Sequence, residues 1–206
     1  MSEAILEQPT TVEGVVIHMR PALDMTDEQF FLLCQQNRDL RIERTAQGDL
    51  IVMPPTGWAT GDRNAEITTQ LRVWAKQDGQ GIATDSSTGF KLPNGAERSP
   101  DAAWVRRERL AALTREEKDR FLPLCPDFAL ELRSPTDKLA TVQAKMAEYI
   151  ANGAQLGLLL DPETRRVHVY RPGAEVEVIE NPESVSAEPV LPGFRLDLRE
   201  IWEPNI

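Results

Sequence analysis

Histidine and cysteine are almost missing from this 206-residue chain: His18, His168, Cys34 and Cys125 are all it has. No HxxxH spacing occurs and the cysteines are far apart, which excludes a structural zinc site and a disulfide framework. His18 lies in a weakly patterned leader and His168 in an alternating stretch, so both read as structural or solvent-facing. Neither a Walker loop nor a GxGxxG turn is present, and nucleotide cofactors have no foothold. Ser86 and Ser87 have no patterned histidine and acid around them and read as loop residues bordering a cleft. No apolar run is long enough to cross a bilayer; the purest, Leu156–Leu160, is strand-sized. The opening Met1-Ser2-Glu3-Ala4 lacks a basic region followed by an apolar one. The expectation is therefore a cytoplasmic protein with no membrane partner and two reduced thiols. A long basic tract is absent too, and the net charge is −10. That balance argues against a broad nucleic-acid-binding surface and leaves room for a local, carboxylate-based cation site.

What is present is ordinary globular material, 41% hydrophobic and 27% charged, with no repeat or Gly/Ser linker to divide it. The reading is a leader over 1–24, one domain over 25–202 and a short tail over 203–206. Thr26 caps a helix with acids in its first turn and Phe30, Leu33 and Cys34 on its apolar face. Leu40–Arg44 and Asp49–Met53 alternate around Gln47-Gly48 and form a β-hairpin closed by Pro54-Pro55. A helix follows over 61–78, with Ile67, Leu71 and Trp74 on one stripe and Gly79 as its stop. Short strands are expected at 81–83, 89–92 and 102–105, and a short helix at 110–119. Phe128–Leu132 is the strongest strand signal. A helix over 137–151 carries Leu139, Val142, Met146 and Tyr149-Ile150 on one stripe. Strands at 156–160, 167–170 and 174–179 follow, then short edge strands towards Trp202. The class is α/β (α+β), a mixed central sheet flanked by helices, with an N-terminal helix and a β-hairpin.

In Phe128-Ala129-Leu130-Glu131-Leu132, four apolar residues surround one carboxylate in a strand that should be buried on both faces. An ionised group there needs a cation or a donor: either a buried partner such as an arginine, or a metal ion. Ser99-Pro100-Asp101 stands before the strand 102–105, with the acid at the strand entry, where it is either a turn residue or a ligand. If the two strands are neighbours, the side chains of Asp101 and Glu131 lie about 5 Å apart, which suits two carboxylates sharing Mg²⁺. Pro126-Asp127 repeats the Pro-Asp pair, but four strand residues span about 13 Å, too far to share one ion with Glu131. Asp127 therefore reads as a strand-entry residue. Arg133 and Lys145 are the candidate cations, the latter flanking the apolar stripe of its helix, where a solvated lysine is the plainer alternative. Glu66, on the first long helix beside Gln70 and Val73, is a further candidate acid or a surface glutamate.

These residues resemble the PD-(D/E)xK nuclease pattern, and the chain resembles the Uma-two family of restriction-endonuclease-like proteins over Met25 to Trp202. The resemblance is carried by Met53-Pro54-Pro55-Thr56-Gly57, Asp85–Phe90, Arg98-Ser99-Pro100-Asp101 and Pro126–Pro135. Gln143-Ala144-Lys145-Met146, Asn152-Gly153-Ala154 and Asp161-Pro162 continue it. It implies a restriction-endonuclease-like core with Mg²⁺ (Mn²⁺ as substitute) at the strand ends. By the same resemblance Asp101 and Glu131 are metal ligands and Glu66 is the acid of the first core helix. Lys145 is the lysine moved from the strand, where Arg133 now stands, onto the following helix. The implied reaction is hydrolysis of DNA phosphodiester bonds. Two other readings stay open: a nuclease-fold binding or regulatory protein without catalysis, and another metal-dependent phosphohydrolase or structural oligomer. A homodimer is the expected assembly, since paired sites suit cutting both strands of a duplex.

Overall fold

In the computed structural model, which describes residues 14–204, two sheets organise the chain. The larger has six strands in the order β11 (Glu177–Glu180), β10 (Arg166–Tyr170), β9 (Leu156–Asp161), β8 (Phe128–Leu132), β7 (Ala102–Arg106) and β4 (Gly81–Asp85). Only β8 and β9 are parallel; the other neighbours are antiparallel. A parallel pair needs a crossover, and α5 (Leu139–Ala151) supplies it. The smaller sheet is antiparallel throughout, in the order β1 (Val15–Ile17), β3 (Leu50–Met53), β2 (Arg41–Arg44), β6 (Glu97–Arg98) and β5 (Phe90–Lys91).

Every residue of β8 and β9 is buried, so both faces of the large sheet are covered there. The two-residue period of a strand sorts the core into two layers. Ala102, Trp104, Phe128, Leu130 and Leu158 face Ile67, Leu71 and Ala75 of α2 (Trp58–Asp78). The same layer holds Val185, Leu196 and Ile201 from β12 (Ser184–Ser186), β13 (Arg195–Asp197) and α6 (Arg199–Trp202). Ala103, Val105, Ala129 and Leu159 point the other way, against Met146 and Tyr149 of α5 and Phe90 and Leu92. Asp101 and Glu131 continue that second set by the same alternation, which puts them beneath α5.

Thr26 caps α1 (Asp27–Gln36) and forms a full capping box with Gln29, although only Phe30 of that helix is fully buried. Gly79, left-handed at φ 72°, stops α2 as expected, but the helix starts at Trp58 rather than at residue 61. The helix expected over 110–119 is two: α3 (Arg107–Ala111) and α4 (Arg115–Lys118), because Thr114 begins a second capping box with Glu117. Asp137 lies before α5 rather than in it, since its carboxylate accepts from the Ser134 N–H and hydroxyl and closes a turn. The strand expected at 174–179 runs instead over 177–180. The C-terminal region yields β12 and β13 and then α6, a helix where edge strands were expected. Part of the expected leader is structured, because β1 pairs with β3; its residues 1–13 lie outside the described ones. Cys34 and Cys125 are free thiols.

Candidate active site

The antiparallel register of β7 and β8 pairs Ala102 with Leu130 and Ala103 with Ala129. One further step sets Asp101 opposite Glu131. The Leu132 N–H donates to Asp101 Oδ2 at 2.9 Å, tying the start of one strand to the end of the other. Both carboxylates are buried. After β8 the chain crosses over in α5, which lays Lys145 across them. Its Nζ is 2.8 Å from Glu131 Oε1 and 2.8 Å from Glu43 Oε1. Tyr149, one helical turn on and on the same side, donates its hydroxyl to Glu131 Oε1 at 3.0 Å.

Glu43 comes from β2, in the smaller sheet, and is also buried. The Ser99 N–H donates to its Oε1 at 3.0 Å, and Arg98 Nη1 lies 3.2 Å from its Oε2. Arg98 Nε reaches Glu148 of α5 at 2.6 Å. Arg41, two residues before Glu43 and therefore on the same side of β2, places Nη1 3.1 Å from Asp101 Oδ1 and donates Nη2 to the Ser99 carbonyl. The hairpin, the Pro-Asp strand, the central strand and the crossover helix thus meet in one polar cluster.

Burial pushes the Glu131 carboxyl up to about 7; Lys145 opposes that rise, and the charges of Asp101 and Glu43 add to it. Burial would lift Glu43 as well, but Lys145, Arg98 and Arg41 surround it and bring it down to about 2. For Lys145, burial works against the charged form, and Glu131 and Glu43 outweigh it, so its pKa is raised and the ammonium persists. Burial, with the nearby charges of Glu131 and Glu43, raises the Tyr149 phenol and keeps it a hydrogen-bond donor.

The structure therefore brings together Asp101, Glu131 and Lys145 and adds Glu43, Arg41, Arg98 and Tyr149. It does not bring Glu66 to them. That residue is on α2, which packs on the opposite face of the large sheet; its Oε1 accepts from Gln70 Nε2 at 2.8 Å, and it lines a cleft with Asp197 and Arg199. Arg133 is also elsewhere, lying past the end of β8 with Nη1 3.0 Å from Asp161 and 2.9 Å from Glu163. Asp127 fastens a strand entry: it accepts from the Arg106 N–H at 3.0 Å and pairs with Arg109 at 3.0 Å. Glu43 escaped the sequence reading although it is, like Glu131, a carboxylate within a strand. Its neighbours Arg41 and Arg44 are charged, which gives that strand the look of a solvated hairpin. Tyr149 was legible only as part of an apolar stripe.

Among the described residues no group of three or more His, Cys, Asp or Glu is placed to hold a metal ion. Two carboxylates side by side, completed by water, are nevertheless a normal protein donor set for Mg²⁺. By register Asp101 and Glu131 are two neighbouring carboxylates of that kind, and Lys145 and Tyr149 both bind Glu131 through Oε1, so Oε2 takes neither of these bonds. All-oxygen donors of this kind fit a hard divalent cation.

Residues 27–199 match the Uma2 family, described as "Putative restriction endonuclease". The chain belongs to the Uma2 family. The Uma2 match spans every residue of the cluster, from Arg41 to Tyr149. Among solved structures, a putative nuclease belonging to DUF820 from Anabaena variabilis is similar at a TM-score of 0.71 and 19% identity. The alignment covers 87% of this chain and 98% of that one, and at this identity it shows a shared fold. Among curated proteins no relative matches. The restriction-endonuclease-like fold implied by the resemblance to this family is thus found.

Proposed function

We propose that this Uma2 protein is a Mg²⁺-dependent endonuclease that hydrolyses DNA phosphodiester bonds, acting as one domain whose body is 25–202 with β1 added to its smaller sheet. The observation that carries the reading is the juxtaposition of Asp101 and Glu131 across β7 and β8, with the Lys145 ammonium 2.8 Å from Glu131. Asp101 and Glu131 hold the cation, Mg²⁺ or Mn²⁺. When bound, such an ion supplies Lewis acidity to a phosphate oxygen and makes a neighbouring water easier to deprotonate. Lys145 keeps a fixed positive charge and N–H donors beside the reacting phosphate, where negative charge grows in the transition state. Glu43 and Tyr149 set its position: Glu43 is a second anchor for the ammonium, and Tyr149 fixes the Glu131 carboxylate.

Family membership and the nuclease named in the similar structure support a nucleic-acid substrate. A homodimer would place two such sites on one duplex. The test is cleavage of supercoiled plasmid by the full chain with Mg²⁺ or Mn²⁺, beside Asp101→Asn and Glu131→Gln. The reading expects nicking or linearisation by the natural chain alone and none in EDTA. Equal activity in the variants would assign the cleavage to a contaminant or another site. A second reading, a nuclease-fold module that binds without cutting, is favoured by one observation: Arg41 and Lys145 already neutralise both carboxylates. Binding of the plasmid without cleavage under every divalent ion would select it.

A further inference from the structure

Asp101 has two oxygens, and both are engaged. Oδ2 accepts from the Leu132 N–H at 2.9 Å, a bond between strands that belongs to the fold. Oδ1 faces Arg41 Nη1 at 3.1 Å. Any cation that ligates Asp101 through Oδ1 meets a guanidinium already there. The two side chains differ in exposure: Arg41 is 33% exposed and Asp101 8%. Arg41 is thus the more accessible partner of the pair. It is held by a second bond, from Nη2 to the Ser99 carbonyl, and by the negative field of Glu131 and Glu43. Its Nε is buried with no hydrogen-bond partner among the described residues, so the guanidinium keeps an unused donor in this position. A planar fork with donors to spare is the side chain best suited to a phosphate.

Resting on the nuclease reading above, we propose that Arg41 is a cationic cover of Asp101. It competes with the divalent ion for that carboxylate and, once displaced, turns its guanidinium to a phosphate of the nucleic acid. Metal and substrate then favour each other: the ion releases the arginine, and the phosphate holds it away from Asp101.

The test is Mn²⁺ titrated calorimetrically into the full chain without nucleic acid, for the natural protein, Arg41→Met and Arg41→Lys. Removing the competing cation should tighten Mn²⁺ binding by about tenfold in Arg41→Met, the order of effect of a partly buried charge pair. Arg41→Lys keeps a charge but cannot fork between Asp101 and Ser99, and should fall between the other two; it also serves if the methionine variant folds poorly. A short duplex at saturating Mn²⁺, followed by fluorescence anisotropy, should bind Arg41→Met about tenfold more weakly, as expected for the loss of one charge-assisted phosphate contact. Unchanged or weakened Mn²⁺ affinity in folded Arg41→Met overturns the cover. Mn²⁺ uptake by neither the natural chain nor the variants overturns the metal reading itself, and uptake by Arg41→Met alone supports the cover.

Discussion

Lys145 lies between two buried carboxylates, each 2.8 Å from its ammonium, so removing its charge takes a close cation from both and leaves Glu131 with the Tyr149 hydroxyl. Lys145→Met should lower stability by about 3 kcal/mol, the scale of a buried pair broken from one side. Urea unfolding measures this. Adding Glu43→Gln to Lys145→Met should recover part of the loss, whereas additive losses would mean the two residues are not coupled. Another buried carboxylate, Glu97, pairs with Arg44 instead of with this cluster. Burial pushes it up to about 7 from an ordinary 4.5, against the pull of Arg44, whose Nε is 2.9 Å away. A carboxyl with a raised folded-state pKa releases its proton more readily in the unfolded chain. Its contribution is therefore full below 4.5 and is lost as pH rises towards and through about 7. Glu97→Gln should flatten the fall in urea midpoint between pH 5 and 8. Arg44 keeps Asp27 and the Met25 carbonyl as partners in that variant. An equally steep fall in Glu97→Gln would assign the pH dependence to other groups.

Two glycines separate stiff from yielding contacts at the scale of the elements. A Cβ at Gly81, in β4, would stand 2.2 Å from the Trp104 indole, which is wedged against Trp74. At Gly157, in β9, the obstacle is the Met146 methyl, 2.4 Å away and at the end of a flexible chain. Gly81→Ala should cost about 2–3 kcal/mol and Gly157→Ala less than about 1 kcal/mol, by thermal or urea unfolding. The elements themselves were largely legible. The apolar run Phe128–Leu132 marked β8, Thr26 marked the start of α1, and the stripe through Met146 and Tyr149 marked α5. Asp101 and Glu131 could be read as neighbours on the condition that their strands pair, and the antiparallel register of β7 and β8 meets it. Contacts between elements were not legible. Glu43 joins the site only because the hairpin docks beside the Pro-Asp strand, which no local pattern records. Glu66 was misplaced because the stripe of Ile67 and Leu71 says which side of α2 is inward, not which face of the sheet it covers.

At the scale of the whole molecule, a net charge of −10 with the basic groups near the site held in ion pairs limits how many phosphates the protein can neutralise. Its affinity for duplex DNA should fall with salt along a shallow log–log slope, equivalent to about three phosphates or fewer. A slope reporting eight or ten would require a basic surface that these charges do not provide. Membership of the Uma2 family and the shared fold give the frame, within which the proposed chemistry rests on two carboxylates from neighbouring strands. Calorimetric titration of Mn²⁺ into the natural chain and into Asp101→Asn, both verified as folded, tests that placement most directly. The expected result is saturable binding by the natural chain that disappears in the variant. Binding of equal affinity and stoichiometry in both would place the metal, and with it the chemistry, somewhere else.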